Sequence, residues 1–257
     1  MKDIQYWIWL SMLNLCPERA KKYLKNHSVE TLWNSKEEEL CKIFKKEETE
    51  RILDLKYRQN LSLHEEYIKK YGIKLITIKD AIYPKKLKDI NNAPLVFYGI
   101  GNFKLLKEKS IAIVGARKCS DYGKTVAQAF AYSLSKKDYT IVSGLALGID
   151  KASHEGALIA KGKTIAIVGT GLDIIYPKEN KNLFYDIIRN NGLVLSEFPL
   201  GTKPDKYNFP KRNRIISAIS DGVLVVEASK KSGSLITVEF ALEQGKEIFA
   251  IPRKHSK

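Results

Sequence analysis

The sequence predicts an α/β protein in which a small all-helical domain precedes a doubly wound, mostly parallel sheet. Over the first 70 residues, apolar side chains recur at helical spacing between charged stretches. From residue 110 onward, short apolar strands alternate with amphipathic helices. Strands joined by helices of this length form right-handed βαβ units. The second part of the chain is therefore expected to have a Rossmann-like fold, with helices on both faces of its sheet.

Residues 1–70 are expected to form the small helical domain. Ser35, three residues before Glu38, predicts a capping box at the start of the helix that carries Leu40. The run 37–39 of glutamates is typical of a solvated helix face. The apolar residues at helical spacing are Trp7, Leu10, Leu13, Tyr23, Leu24, Leu32, Leu40, Ile43, Ile52 and Leu55.

Residues 71–108 are expected to connect the two domains and to pack on the second. The segments 72–78 and 95–99 have the pattern of short strands, and Pro84 and Pro94 mark turns.

Residues 109–257 are expected to form the Rossmann-like domain. The predicted strands are 111–114, 140–142, 164–168, 193–196, 222–226 and 247–251. The predicted helices lie near 122–136, 149–160, 179–190, 212–219 and 234–244.

The charge of the chain favours a polyanionic partner. The formal net charge is +15, and residues 71–257 carry about +13 of it, with 30 basic and 17 acidic side chains. Each phosphate that a basic surface neutralises releases condensed counterions, which favours binding. A lysine-rich composition without any function would raise the charge in the same way, so charge alone leaves both explanations open.

Cysteine usage and hydropathy point to a cytoplasmic protein. Cys16, Cys41 and Cys119 form no CxxC pair and leave one thiol over, which argues against disulfides and against a structural zinc site. The longest uncharged run, residues 4–17, is interrupted by polar residues and lacks a cleavage pattern. We expect no signal peptide and no membrane span.

Glycine-rich loops follow the predicted strands at the edge where ligands bind in such a sheet. The loops contain Gly115, Ser143 with Gly144, Gly169 with Gly171, and Gly233 with Ser234; Arg117, Lys178 and Lys231 lie beside them. Glycine permits close backbone approach, and N–H groups at a helix start attract phosphate. Any one loop is explained equally by the steric needs of a tight turn, but four loops beside cations predict an anion-binding rim.

Two further segments bring cations and aromatic rings to the same edge. Tyr176 and Lys178 precede one helix, and Phe209 begins the segment that contains Arg212 and Arg214. Cations within the first turn of a helix oppose the macrodipole, so a bound anion would explain them. The rings could stack on bases or could simply pack beneath the helices.

Nucleotide cofactors are not expected. After Val114 the sequence lacks the spaced glycines of GxGxxG, and no acidic residue ends the next strand to bind a ribose. Gly123-Lys124-Thr125 resembles the tail of a phosphate-binding P-loop but lacks its leading glycine. We therefore expect neither NAD nor ATP.

These segments together resemble the DprA/Smf family of DNA-processing proteins. The matching segments, in the order and spacing of that family, are SIAIVGARKCSDYG, VSGLALGIDKASHEGAL, AIVGTGLDIIYPKEN, LSEFPLGTKP, FPKRNRIISAIS and SGSLITVEFALEQGK. The N-terminal helices resemble the small sterile-alpha-motif-like or helix-hairpin-helix domain of the family.

The resemblance implies a non-catalytic protein that binds and protects single-stranded DNA and helps to load the RecA recombinase during natural transformation. It also implies a homodimer. The candidate DNA-contacting residues, from the loops and the resemblance together, are Gly115, Arg117, Ser143, Gly144, Gly169, Lys178, Asn180, Arg212, Arg214, Gly233 and Ser234.

Two departures from the family pattern limit these expectations. The loop 13–17 contains no glycine, whereas a DNA-binding helix-hairpin-helix turns on glycines, so the N-terminal helices are not expected to grip DNA. After Pro252 the family usually continues with Gly-Asn, whereas this sequence continues with Arg253, which makes a dimer contact through the last strand and helix uncertain.

The alternative function is that of a nucleotide phosphoribohydrolase of the LOG type, a resemblance that rests on the same fold. Aligning the PGGxGTxxE motif of that type on Gly233-Ser234 puts Thr237 where the catalytic glutamate would stand. Glu239 lies about 200° further round the helix and would point away. The sequence therefore favours a binding protein over an enzyme.

Overall fold

The computed structural model describes residues 3–229 and 232–252. It contains one eight-stranded sheet with helices on both faces and a cluster of helices at its N-terminal end. This arrangement confirms the predicted α/β class. Over the described residues, no helix combines the length and the apolar character that crossing a bilayer requires.

The N-terminal region is helical, as predicted. Its helices are α1 (Asp3–Met12), α2 (Pro17–Leu24), α3 (Val29–Asn34), α4 (Glu37–Leu40), α5 (Lys46–Leu53) and α6 (Leu61–Lys70). The helices pack around Trp9, which is fully buried. The predicted capping box at Ser35 is wrong: Lys36 caps α4, and its backbone N–H donates to Glu39 at 3.2 Å. Ser35 instead ends α3, where its hydroxyl donates to the Thr31 carbonyl.

The segment 71–108 contributes strands to the sheet. It forms β1 (Lys74–Thr77), the short helix α7 (Lys85–Lys88) and β2 (Val96–Gly101). The two strands pair antiparallel with each other, and β2 pairs antiparallel with a strand of the main domain. The predicted connector is thus the antiparallel edge of the sheet.

The main domain alternates strands and helices as predicted. Its elements in chain order are β3 (Ser110–Val114), α8 (Asp121–Ser135), β4 (Thr140–Ser143), α9 (Ile149–Ile159), β5 (Thr164–Val168), α10 (Lys181–Arg189), β6 (Leu193–Ser196), α11 (Asn208–Ile219), β7 (Gly222–Val225), α12 (Gly233–Glu243) and β8 (Glu247–Ala250). The strand order is β1-β2-β6-β5-β4-β3-β7-β8, and the six strands from β6 to β8 are parallel.

The direction of winding reverses at β3. From β3 the chain moves through β4 and β5 to β6, and it then returns to add β7 and β8 on the other side of β3. Right-handed connections therefore put α8, α9 and α10 on one face and α11 and α12 on the other. Contacts of α9 with α8 and α10, and of α11 with α12, agree with this. The carboxyl ends of β3 and β7 form the switch point, where doubly wound proteins bind ligands.

The N-terminal helices and the sheet share one hydrophobic core. It runs from Tyr6 to Ala241 and includes the buried side chains of α1 and of β2. The hydroxyls of Ser11 on α1 and Tyr98 on β2 are hydrogen-bonded at 2.7 Å. The helical region is thus packed directly against the edge of the sheet.

Helix α11 begins earlier than predicted. It starts at Asn208, four residues before the predicted start at 212. Pro210 is compatible with this, because a first-turn residue needs no N–H donor. Arg212 and Arg214 therefore lie in the second turn, where the macrodipole has little effect. The argument that these cations oppose the helix dipole is wrong for this reason.

Candidate functional site

A cleft of about 670 Å³ opens at the switch point, and we call it the edge cleft. Four cations and two carboxylates of the described residues line it, and the rest of the wall consists of glycine, serine, aromatic and apolar residues together with Asn213 and Thr237. The residues that line the cleft include Gly115, Arg117, Lys118, Asp150, Tyr176, Asp205, Lys206, Phe209, Arg212, Asn213, Gly233, Ser234 and Thr237.

The loop after β3 presents Arg117 to the edge cleft. The side chain of Arg117 is exposed, and its guanidinium carbon lies 5.0 Å from the centroid of the Phe209 ring. The Phe209 ring in turn lies 5.6 Å from that of Tyr176, between centroids. Stacking on Phe209 keeps the guanidinium extended along the wall, with its N–H groups available to a ligand.

Two neighbours fix this loop. The first is Glu227, whose backbone carbonyl accepts a hydrogen bond from the Ala116 N–H at 2.7 Å. The side-chain carboxylate of Glu227 accepts a second hydrogen bond from the Ser120 hydroxyl at 2.9 Å. Gly148 has a φ of +76°, and a Cβ there would overlap the carbonyl oxygens of Ala116 and Arg117. Only glycine allows the loops after β3 and β4 to approach each other this closely.

A buried pair of charges lies beneath the cleft. Arg212 is 4% exposed and Asp150 is 8% exposed. The guanidinium of Arg212 donates to the carbonyls of Gly144, at 2.7 Å, and of Ile167. The carboxylate of Asp150 accepts from the Gly144 N–H at 3.1 Å. A Cβ on Gly144 would touch both charged groups, so the loop after β4 packs directly on this pair.

Burial shifts both groups of the pair toward their neutral forms. It lowers the pKa of Arg212 to about 10, the carboxylate of Asp150 opposes this, and the positive charge of Arg117 adds to it. Burial raises the pKa of Asp150, and Arg212 and the surrounding N–H groups oppose that shift. Arg212 is still a cation at neutral pH, and its charge is close enough to that of Arg117 for the two to repel each other.

A narrow recess of about 60 Å³ deepens the cleft. Gly144 and Gly169 line it together with Arg117, Phe209 and Arg212. A Cβ on Gly169 would lie 2.9 Å from the Phe209 ring, so only glycine leaves enough room for the ring in its observed position. Two of the predicted residues, Gly144 and Gly169, therefore line the recess. Five others line the cleft itself: Gly115, Arg117, Arg212, Gly233 and Ser234.

Two predicted residues lie behind the wall and hold its loops. The hydroxyl of Ser143 is fully buried and donates to the Ile113 carbonyl at 2.7 Å. The side-chain amide of Asn180 is also buried and donates to the carbonyls of Leu145 and Ala146, at 2.9 and 3.1 Å. Both side chains position the loop after β4 and do not face the cleft.

Arg214 and Lys178 are not brought into the cleft. The guanidinium of Arg214 is buried and binds both carboxylate oxygens of Glu197, at 2.8 and 2.6 Å. It also donates to the Asn92 carbonyl, on the side of α11 away from Arg212. Lys178 is exposed just beyond Pro177, which lines the recess. Lys231 and residues 253–257 lie outside the described residues.

Sequence reasoning missed several residues of the cleft. Lys118 and Lys206 follow the same signal as Arg117, a cation in a loop after a strand, and could have been found from it. Asp150 gave no such signal, because its importance depends on its electrostatic interaction with Arg212, which belongs to a helix far away in the sequence. Asn213 lines the cleft and donates to the Gly233 carbonyl at 3.1 Å, which ties α11 to α12.

The position aligned with a hydrolase glutamate holds a threonine in the cleft. Thr237 is buried and lines the cleft, while Glu239 is exposed and does not. His154 is fully buried, and its Nδ1–H donates to Thr164 at 2.7 Å, since the Thr164 hydroxyl itself donates to the Ile141 carbonyl. Burial lowers the pKa of His154 to about 3, so this ring is neutral and structural.

The fold and the cleft together define a class of protein. It is a doubly wound α/β protein whose switch point carries a cationic, aromatic-lined cleft instead of a dinucleotide fingerprint.

The chain belongs to the DNA recombination-mediator protein A family, whose sequence model matches residues 74–257. It is 49% identical over 176 residues to the DNA processing protein DprA of Streptococcus pneumoniae, covering 68% of this chain and 62% of that protein. It is 36% identical over 255 residues to the protein Smf of a Synechocystis species, covering 96% of this chain and 64% of that protein. The chain thus spans less than two thirds of the length of these relatives.

Two solved structures resemble this fold over most of the chain. The structure of DprA from Streptococcus pneumoniae covers 99% of this chain and 88% of its own, with a TM-score of 0.80 and 36% identity. A structure of DNA processing protein A from Helicobacter pylori, reported for its single-stranded DNA binding mode, covers 70% of this chain and 82% of its own. Its TM-score is 0.64 and its identity is 35%.

Proposed function

We propose that this chain binds single-stranded DNA in the edge cleft and does so without catalysing a reaction. The observation that carries the proposal is the convergence of Arg117 and Arg212 on one recess between glycine turns. Their charges repel each other, and a phosphate between them would relieve that repulsion. The Helicobacter pylori relative, which binds single-stranded DNA, supports the same ligand for this cleft.

The aromatic wall favours unpaired bases over a duplex. Tyr176 is 41% exposed, and the neighbouring Phe209 ring also lines the cleft. Rings exposed beside cations stack on the faces of bases, and this contact tolerates any sequence because every base has a π face. The starts of α11 and α12 also lie at the cleft, where helix N-termini favour phosphate. We therefore propose binding with little base preference.

The wider role follows from family membership and is proposed with it. Bound to DNA, the chain would protect the strand and help to load the RecA recombinase during natural transformation, as a homodimer in the cytoplasm. The apolar residues Leu242 and Phe249 on α12 and β8 are 65% and 51% exposed, and they are the surface on which we place the dimer contact.

The affinity of the chain for oligo-dT is expected to fall steeply as salt rises. Each phosphate contact contributes a slope of about −0.7 to the plot of log affinity against log salt concentration. Three contacts, from Arg117, Arg212 and a third cation such as Lys206, predict a slope of about −2. Fluorescence anisotropy of labelled oligo-dT over a range of sodium chloride concentrations measures it.

The controls separate this proposal from its rivals. A duplex of the same length and an oligo-dA strand serve as competitors, and the duplex is expected to compete worse than either single strand. Incubation with nucleoside monophosphates tests the hydrolase, because release of free base would establish it. An affinity that does not change with salt concentration, or that is higher for the duplex than for the single strand, contradicts the proposal.

A further inference from the structure

A second hollow of about 390 Å³ lies between the N-terminal helices and the sheet, and we call it the junction hollow. Three parts of the chain form its walls: the end of α1 with the loop after it, the entrance to β2, and the segment from β6 to the first turns of α11. The side chains that line it include Met12, Asn14, Leu95, Glu197, Tyr207 and Lys211. Pockets between packed units are frequent ligand sites.

The junction hollow shares a wall with the edge cleft. Lys206 and Phe209 line the cleft, while Tyr207 and Asn208, between them in sequence, line the hollow. A strand that leaves the cleft over this segment would therefore enter the hollow directly. Tyr207 is 71% exposed, and the Lys206 ammonium lies 5.0 Å from the centroid of its ring. An exposed ring with a cation beside it, at the lip between two hollows, suits stacking on a base.

The interior of the junction hollow suits a base with its phosphate at the lip. Its apolar floor includes Met12, Leu95 and Phe198, and the first two are only partly buried. At the lip, the Lys211 ammonium donates to the Asn14 side-chain oxygen at 3.1 Å, and it lies 5.7 Å from the Phe198 ring. The N-terminal region thus supplies a wall of the hollow and a polar group at its edge.

The carboxylate in the wall is neutralised. Glu197 lines the junction hollow, and an unpaired carboxylate there would repel a phosphate strand. Both of its oxygens are bound by the buried guanidinium of Arg214. This pairing gives Arg214 a positioning role beside the hollow, although it does not reach the edge cleft.

We propose that the junction hollow receives the next nucleotides of the single strand bound in the edge cleft. Tyr207 stacks on a base at the lip, and α1 with its following loop forms the outer wall. This inference rests on the proposed function and extends it to a surface shared by both parts of the chain. It also revises the expectation that the N-terminal helices stay away from DNA, because glycine-free loops can still bound a base pocket.

The test compares Tyr207→Ala on two lengths of oligo-dT with the full chain. A stacked base contributes about 1–3 kcal/mol, so the affinity for an oligo-dT of about twelve nucleotides is expected to fall about fivefold or more. The affinity for an oligo-dT of about four nucleotides, which fills only the edge cleft, is expected to stay unchanged. Tyr207→Phe retains the ring and is expected to bind both lengths normally. Tyr71→Ala removes another exposed tyrosine, outside both hollows, and is the matched control.

The outcomes distinguish this inference from the proposed function. If Arg117→Ala weakens both lengths while Tyr207→Ala weakens neither, DNA binds the cleft and the junction hollow is not used. If the wild-type chain binds neither length, the proposed function itself fails.

Photo-crosslinking gives a second readout that does not depend on affinity. An oligo of about twelve nucleotides carrying 5-iodo-deoxyuridine at its end positions is expected to crosslink to peptides from residues 10–17 and 203–211. Crosslinks to peptides 115–118 and 169–178 without any to residues 10–17 would overturn the inference.

Discussion

Replacing Arg117 by alanine is expected to lower the affinity for oligo-dT by roughly ten- to a hundredfold. A hydrogen bond to a charged group contributes about 1.5–3 kcal/mol, and each 1.36 kcal/mol is a factor of ten. The guanidinium is exposed, and Phe209 supports it at 5.0 Å, so its N–H groups are in place before any ligand arrives. The loss is expected to shrink at high salt, because part of it is phosphate attraction.

Lys178→Ala is expected to have a smaller effect, roughly two- to fivefold, on the same measurement. Its ammonium is exposed beside the recess and does not line it. Lys136→Ala removes the same charge at the far end of α8 and is the matched control. Gel shifts with oligo-dT at several salt concentrations measure all three variants. Unchanged affinity in both Arg117→Ala and Lys178→Ala would contradict the cationic rim.

Replacing Arg212 by methionine is expected to lower the free energy of unfolding by about 3–5 kcal/mol. This is the usual cost of removing one partner of a buried charged pair, because the other charge is left without compensation. Here the stranded charge is Asp150, and the carbonyls of Gly144 and Ile167 also lose their donor. Urea denaturation at neutral pH measures the effect.

The pH dependence of this loss identifies Asp150 as its cause. Burial already raises the pKa of Asp150, and removing the Arg212 cation raises it further. The folded variant then binds a proton more tightly than the unfolded chain, so its stability falls as pH rises above the unfolded pKa of about 4. The destabilisation is therefore expected to be smaller at pH 5 than at pH 8.

Two further variants control this experiment. Lys211→Met removes an exposed cation from the same helix and is expected to change the free energy of unfolding by less than about 1 kcal/mol. Adding Asp150→Asn to Arg212→Met is expected to recover part of the loss, because the stranded charge is gone. A loss below about 1 kcal/mol in Arg212→Met would show that the buried pair does not support the loop after β4.

The sequence was sufficient to predict the fold and the edge of the sheet that carries the cleft. The alternation of strands and helices gives the doubly wound topology, and topology alone brings Gly115, Arg117 and Gly233 to one edge. These residues follow different strands, and the carboxyl ends of parallel strands meet at that edge. Their common position can therefore be predicted without knowing how the side chains pack.

The sequence was not sufficient to distinguish Arg212 from Arg214. The two are about 200° apart around α11, so one faces the cleft and the other faces Glu197. Which one faces the cleft depends on how α11 packs on the sheet. The burial of Arg212 near Asp150 likewise depends on tertiary packing that neither local sequence contains. The sequence correctly placed both cations on one helix, but their separate roles could be assigned only once the packing of that helix was known.

The pairing of the edge strands could not be predicted from the sequence for a related reason. The segments 72–78 and 95–99 have clear strand patterns, but such a pattern does not show which other strand each segment pairs with. The pairing of Tyr98 with Ser196 makes the segment part of the sheet. This joins the N-terminal helices to the main domain and creates the junction hollow between them.

Hydrogen exchange with and without oligo-dT tests the central claim most directly, because it reports on the backbone of every loop at once. Single-stranded DNA in the edge cleft predicts protection of residues 115–120, 144–148, 169–178 and 206–213, with no change at 130–140 on the opposite edge of the sheet. Protection confined to other surfaces, with these loops unchanged at saturating oligo-dT, would contradict the claim that this cleft is the DNA site.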